Sequence, residues 1–469
     1  VTAAGPAAVR PSDRQVAWQR LEFYGFLHFG MNTMTNREWG EGHDDPALFD
    51  PADLDADQWV AALKSAGMTG VILTCKHHDG FCLWPSEVTK YTVAASPWRA
   101  GLGDVVAEVA EAARRHGLKF GVYLSPWDRT EASYGTGTSY DDFYVAQLTE
   151  LLTRYGPVFS VWLDGANGEG PNGKRQHYDW ERYYAVVRRL QPDAVINVCG
   201  PDVRWCGNEA GETRPDEWSV VPRTLRDAER TADRSQRVDD GEFARLVRSD
   251  DRDLGSRAAL AGQTDLVWYP AEVNTSIRPG WFHHPAEDGA VRAADELFDI
   301  YLHAVGGNSC FLLNVPPARD GRLTAADVAA LERLGHRIAD FRSRRVGADV
   351  TVTSGTAGDL VTAWPAPGRT PWEPDPADQR PAVTLHFPGP RRIEAVVLGE
   401  DITRGQRIEH VAVRGRRYGA WTTLAEANAV GYQRILRFAP AEAEAVLIEV
   451  TAARDTPVVS HAAAIGATS

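Results

Sequence analysis

The chain is short of the residues that staple or ligate. Among 469 residues there are five cysteines (Cys75, Cys82, Cys199, Cys206 and Cys310) and three methionines. The cysteine count is odd and the chain is long, which excludes a small disulfide-framed scaffold. No Cys pair and no His-x-x-x-His has the spacing that completes a zinc site. No apolar run approaches the roughly 20 residues of a membrane-crossing helix, so a membrane partner is not expected. Blocks of one charge are also missing. The net charge is −14, but acidic and basic residues are interspersed, and an acidic balance disfavours nucleic-acid phosphate as a partner. The chain opens at Val1 rather than Met, as after removal of a leader or tag. Secreted and cytoplasmic settings are both compatible with that.

What is present is an ordinary globular balance, 43% hydrophobic and 24% charged, with 15 tryptophans. Tryptophan stacks well on flat apolar faces, including those of sugar rings. From Leu21 to about residue 345, short apolar runs alternate with helical stretches. Leu21–Gly30, Thr69–Cys75, Leu118–Leu124, Phe159–Leu163 and Ala194–Val198 read as the first five strands. Glu217–Val221, Leu266–Tyr269 and Ser309–Asn314 read as the sixth, seventh and eighth. Helices with Asp starts and Gly stops lie between several of them, as over Asp57–Gly67. Strands and helices alternating about eight times predict a parallel (β/α)8-type barrel over residues 1–345. Residues 1–18 read as an aperiodic lead-in, and the charge-dense stretch 225–262 matches no element. Beyond Val346 the runs at 351–355, 382–387, 393–398, 410–414, 433–438 and 445–450 are separated by turns without helices. They predict a C-terminal β-sandwich over 346–469, with a Pro-rich loop at 365–381.

In such a barrel, catalytic side chains sit where strands end. Asp164 ends the fourth strand, with Gly165 behind it to turn the chain. Glycosidic hydrolysis commonly uses two carboxyls, about 5–5.5 Å apart in retaining enzymes, one as nucleophile and one as acid with a raised pKa. The residues alone leave two partners for Asp164. Glu209 lies in the glycine-flanked loop Gly207–Gly211, and Glu272 lies directly after the expected seventh strand. Glu38 and Glu41 in the first loop are weaker candidates. His77 and His78 invite a metal reading, but neighbours on an extended chain point to opposite sides and would not share one ion. Hydrogen bonding to hydroxyls suits them better, with one of the two expected to pack in the core. His28, Trp39, Tyr123, Trp127, Trp162, Trp205 and Trp281 all fall at or just past strand ends. So many rings on one barrel face suggest a ligand wall. Cys206 has no His/Asn partnering pattern, so a thiol nucleophile is not expected.

Seven motifs, taken together and in order, carry a resemblance. They are His28-Phe-Gly30, Glu38-Trp-Gly40, Lys76-His-His-Asp-Gly-Phe81, Gly121–Ser125, Trp162-Leu-Asp-Gly165, Ser276–Phe282 and Leu312–Pro317. The set resembles glycoside hydrolase family 29, the α-L-fucosidases, over about residues 20–340. The resemblance implies retaining double displacement on a fucosylated oligosaccharide, with no metal or organic cofactor. It implies Asp164 as nucleophile and His28, His77 and His78 as fucose-binding histidines. Glu38, Trp39, Tyr123 and Trp162 become further sugar contacts and Trp281 an aromatic wall. Trp205–Gly211, followed by Glu217-Trp-Ser219, is similar to the narrower branch of that family, which puts the acid/base on Glu209. That branch implies preference for α-1,3 and α-1,4 fucosyl linkages on branched, Lewis-type glycans. The alternatives are a broad α-fucosidase with Glu272 as acid/base, and a non-catalytic binder of fucosylated glycans.

Overall fold

In the computed structural model, which describes residues 5–234, 252–360 and 369–468, the apolar runs of the first two thirds pair side by side in parallel. The strands are β1 (Phe23–Leu27), β2 (Gly70–Lys76), β3 (Lys119–Leu124), β4 (Ser160–Leu163), β5 (Val195–Val198), β6 (Arg204–Trp205), β7 (Ala271–Ser276) and β8 (Ser309–Asn314). Their order is β5-β4-β3-β2-β1-β8-β7-β6. A single parallel bridge between Asn197 and Val203 brings β5 to the start of β6, so the ring is nearly closed. Nearly every strand residue is buried, as expected where helices cover the outer face. The crossover helices begin at side-chain caps: Asp55 accepts from the Gln58 amide, Asp104 from Ala107 and Asp179 from Arg182. Each cap satisfies an amide that the first helical turn leaves without a partner. The first of these helices spans Ala56–Ser65, so its cap is Asp55 rather than Asp57.

Two strand assignments differ from the sequence expectation. The stretches around 217–221 and 266–269 are extended, but they pair antiparallel with each other (Val220–Pro222 with Leu266–Trp268) as a ribbon outside the barrel. The true sixth strand is only two residues long, and the true seventh begins at Ala271, which places Glu272 inside the strand and not beyond it. An apolar run signals a strand without naming its partner. A two-residue strand offers no periodicity at all. Buried Arg204 on β6 ties the ribbon to the barrel by an ion pair to Glu217 at 2.6 Å. The lead-in also has structure: Asp13–Gln19 is a helix under the barrel floor, with Gln15 donating to the carbonyls of Asp202 and Trp268. Residues 235–251 of the charge-dense stretch, and 361–368 around the start of the Pro-rich loop, lie outside the described residues.

The C-terminal unit contains β9 (Asp349–Val352), β10 (Ala382–Glu400), β11 (Ile408–Arg417), β12 (Ala420–Asn428), β13 (Arg434–Ala453) and β14 (Val459–Gly466). All pair antiparallel in the order β9-β10-β13-β11-β12, with β14 on β10. The runs read as separate strands at 382–387 and 393–398 are one strand, as are those at 433–438 and 445–450. Register breaks between His386 and Arg391 and between Ile393 and Ala395 let these long strands bend. Residues from both halves, such as Val383 and Val396, therefore meet in one core with Trp372 and Val411. The unit docks on the barrel beside β8: the Asn308 amide donates to Gln433 O (3.0 Å) and the Ile435 amide to Gly306 O (2.8 Å).

Candidate active site

Asp164 directly follows β4 and is half-buried. Its Oδ2 accepts from the Tyr123 hydroxyl at 2.8 Å and its Oδ1 from the Ala166 amide at 2.8 Å. The two donors fix the carboxylate plane. Glu209 arrives from the loop after β6. Asn208 braces that loop, its Oδ1 accepting from the Ala210 and Glu212 amides and its Nδ2 donating to Glu212 O. Gly207 and Gly211 take φ of 103° and 81°, a backbone region in which side chains other than glycine's are strained. Burial pushes the Glu209 carboxyl up to about 8, and the charges of Asp164 and Glu38 push the same way. The Trp281 indole donates to Glu209 Oε2 at 3.1 Å and opposes that rise by favouring the anion. Glu209 thus holds a proton at neutral pH beside a carboxylate that accepts two hydrogen bonds. A general acid loses function on deprotonation, so kcat/KM should fall as pH rises through about 8. Trp281→Phe removes the donor that favours the anion, and the alkaline limb should move to higher pH. A limb that stays in place, or moves down, would show that this limb does not report Glu209.

The rings around these carboxyls form a continuous wall. His77 stacks on Tyr123 (centroids 5.7 Å, 12°) and meets Phe282 edge-on at 4.9 Å. His78 lies 5.0 Å from Trp127 and 5.4 Å from Trp39, which in turn stands edge-on to Trp127. His28 lies 5.1 Å from Trp281, and Tyr123 packs on Trp162 at 5.4 Å. The expectation that His77 and His78 face opposite ways is corrected: their centroids are 4.0 Å apart. β2 ends at Lys76, so the pair occupies a turn and strand alternation does not apply. Burial holds all three imidazoles well below their usual range, His28 to about 3 and His78 to about 4. They are neutral. Among the described residues no group of three ligating side chains comes together for a metal. All five cysteines are buried and unpaired, and burial pushes the Cys206 thiol up to about 11.

Two further acidic candidates are held by hydrogen bonds within the protein. The Glu38 carboxylate accepts from the backbone amides of Trp281 and Phe282 and faces His284 Nε2 at 2.9 Å. It anchors the loop that carries the Trp281 ring. The same loop is pinned from below by Arg278, whose guanidinium meets Asp327 at 2.9 Å with both side chains fully buried. Glu272 sits in the barrel interior at 0% exposure, accepting from Tyr24 Oη, Trp162 Nε1 (2.8 Å) and Asn197 Nδ2 (2.7 Å). Burial raises its pKa, and it makes no ion pair among the described residues. Four residues that sequence reasoning passed over also shape the site. Ser125 and Phe282 close two of the family-like motifs and Asn314 lies inside a third, none with an expected role of its own, and Asn32 gave no signal.

A barrel whose strand ends carry an oriented carboxylate, a second carboxyl holding its proton, neutral imidazoles and an aromatic wall defines a glycoside hydrolase. The α-L-fucosidase family profile matches residues 17–340, and the chain belongs to that family. It is 39% identical over 467 residues to α-L-fucosidase 1 of Arabidopsis thaliana, covering 97% of this chain and 87% of that one. A crystal structure of a candidate α-L-fucosidase from Bacteroides ovatus superposes with a TM-score of 0.85 at 43% identity, over 99% of this chain and 75% of that one. A Ruminococcus gnavus family 29 fucosidase solved with fucose gives a TM-score of 0.81 at 29% identity, over 100% and 97% of the two chains.

Proposed function

We propose that this α-L-fucosidase works by retaining double displacement, with Asp164 as nucleophile and Glu209 as acid/base. We further propose that its substrates are α-1,3- and α-1,4-linked fucosyl groups on branched, Lewis-type glycans. The observation that carries the mechanism is the contrast between the two carboxyls. Asp164 offers an oriented carboxylate at a strand end, and Glu209, close enough for the Asp164 charge to raise its pKa, is protonated at neutral pH. Asp164 attacks the anomeric carbon as Glu209 gives its proton to the leaving oxygen. Glu209 then takes a proton from the water that opens the β-fucosyl ester, and α-L-fucose leaves. His28, His77 and His78 hold ring hydroxyls while the apolar face of the sugar lies against the aromatic wall.

Glu272 suits the acid/base role poorly. It is sealed under Trp162 with three donors on its oxygens, so it lacks a path to a leaving group. The linkage preference rests on the Trp205–Gly211 loop, which Asn208 braces and which therefore presents one fixed shape to the aglycone. The test compares fucose release from a branched Lewis-type trisaccharide, an α-1,2-fucosylated lactose and an aryl α-fucoside. Fast release from the branched glycan alone is expected. Comparable rates on all of them remove the linkage preference and leave the fucosidase. Fucose binding without release from any would leave a glycan-binding protein.

A further inference from the structure

Each of the three histidines has one ring nitrogen bonded inside the protein and one that is not. His28, His77 and His78 use Nδ1 for the internal bond, to Asn314, Asn32 and Ser125 respectively. Their Nε2 atoms have no partner among the described residues and are absent from the sealed, unsatisfied polar atoms, so each keeps an accessible face. The chemistry of each internal partner decides where the ring's single proton sits.

Asn314 donates from Nδ2 to both Ser276 Oγ (2.9 Å) and the Trp281 carbonyl (2.8 Å). A flipped amide would set oxygen against that carbonyl, so the orientation is fixed. Its Oδ1 therefore faces His28 Nδ1 at 2.9 Å, and an amide oxygen only accepts. His28 carries its proton on Nδ1 and shows a bare Nε2. Ser125 gives its one hydroxyl proton to the Trp127 carbonyl at 2.7 Å. At 2.7 Å from His78 Nδ1 it must then accept, so His78 also shows a bare Nε2. Asn32 reverses the sense. Its Nδ2 donates to the Glu38 carbonyl (3.2 Å), where a flipped amide would set oxygen against oxygen, and the same nitrogen lies 3.2 Å from His77 Nδ1, while Asn32 Oδ1 is buried without a partner among the described residues. That nitrogen can only accept, so the His77 proton is on Nε2.

Resting on the fucosidase reading, we propose that Asn32, Ser125 and Asn314 are positioning residues that set a fixed polarity on the sugar site. His28 Nε2 and His78 Nε2 accept, and His77 Nε2 donates. The ligand this pattern selects is a pyranose with hydroxyls that give protons at two places and receive one at a third. Burial protects the pattern, because an imidazolium would donate from every nitrogen and erase it.

The experiment labels histidine with 15N in the full chain and reads the imidazole shifts at neutral pH. Among the thirteen histidines, His28 and His78 are expected in the Nδ1–H form and His77 in the Nε2–H form. Then Asn32→Asp is made, a near-isosteric change that puts an acceptor against His77 Nδ1. It should move the His77 proton to Nδ1, turning its Nε2 from donor to acceptor. Inhibition by L-fucose should weaken by about tenfold or more. A wild-type His77 already in the Nδ1–H form overturns the proposal without need of any variant. A proton switch that leaves fucose inhibition within about threefold overturns the sugar-polarity step. Wild-type protein that binds no L-fucose instead removes the fucosidase reading, while the 15N spectrum still decides the tautomers.

Discussion

Under the proposed double displacement, Asp164→Ala should lower kcat/KM on the branched glycan by about 10^4-fold or more, because it removes the group that would form the covalent intermediate. The fold should persist. Asp164 is half-buried, and among the described residues its carboxylate is hydrogen-bonded by the Tyr123 hydroxyl and the Ala166 amide. The fully buried Tyr123 hydroxyl loses an acceptor, and a water in the space the carboxylate vacates can replace it. The stereochemistry of rescue is the sharper readout. Removing the carboxylate leaves room for a small anion at the same face of the anomeric carbon. Added azide should attack from there in a single displacement, with Glu209 still protonating the leaving oxygen. The product is then β-L-fucosyl azide, inverted relative to the substrate. An azide product of retained configuration, or activity within tenfold of wild type without azide, would assign the nucleophile elsewhere.

Asp164 stood out in the sequence as a candidate for reasons that apply only in part to Glu209. Phe159–Leu163 is a continuous apolar run that stops at a carboxylate and a glycine, and a buried parallel strand leaves just that trace. The eight-fold alternation around it gave the barrel for the same reason. Glu209 had flanking glycines but no periodic neighbour, because the strand before it is two residues long. Glu272 looked equivalent only while the seventh strand was placed at 266–269. Once β7 begins at Ala271, its second residue must point into the barrel interior or its wall, and its donors there are Tyr24, Trp162 and Asn197. Strand propensity at 217–221 and 266–269 was real, but an outer ribbon satisfied it. In the C-terminal unit the Pro388-Gly-Pro390 segment reads as a chain break. The strand instead passes through it at a register shift, where ladder bonds are missing and proline's lack of an amide does no harm. The histidines stood out in the sequence as candidate hydroxyl ligands, but their proton positions did not. Those depend on Asn32, Ser125 and Asn314, which reach them across 45, 47 and 286 residues of sequence.

Glu209→Ala should separate the two halves of the reaction. On a natural glycan the leaving group is a sugar hydroxyl that needs a proton, so loss of about 10^2- to 10^4-fold is expected. On α-L-fucosyl fluoride, whose leaving group departs without a proton, formation of the fucosyl-enzyme should be little changed, and the intermediate should accumulate because no base activates water. Azide needs no base. It should therefore release the intermediate as α-L-fucosyl azide, the opposite configuration from the Asp164→Ala product. The alkaline limb near pH 8 should vanish with the carboxyl that produces it. Trp281→Phe by contrast keeps both carboxyls, shifts that limb upward and leaves the products unchanged. The pair of azide configurations assigns both residues at once, since only a nucleophile and an acid/base facing one anomeric carbon give β from one variant and α from the other. If Glu209→Ala keeps near wild-type rates on the glycan while Glu272→Ala does not, the acid must reach the leaving oxygen from the barrel interior, and the path now blocked by Trp162 must open during turnover.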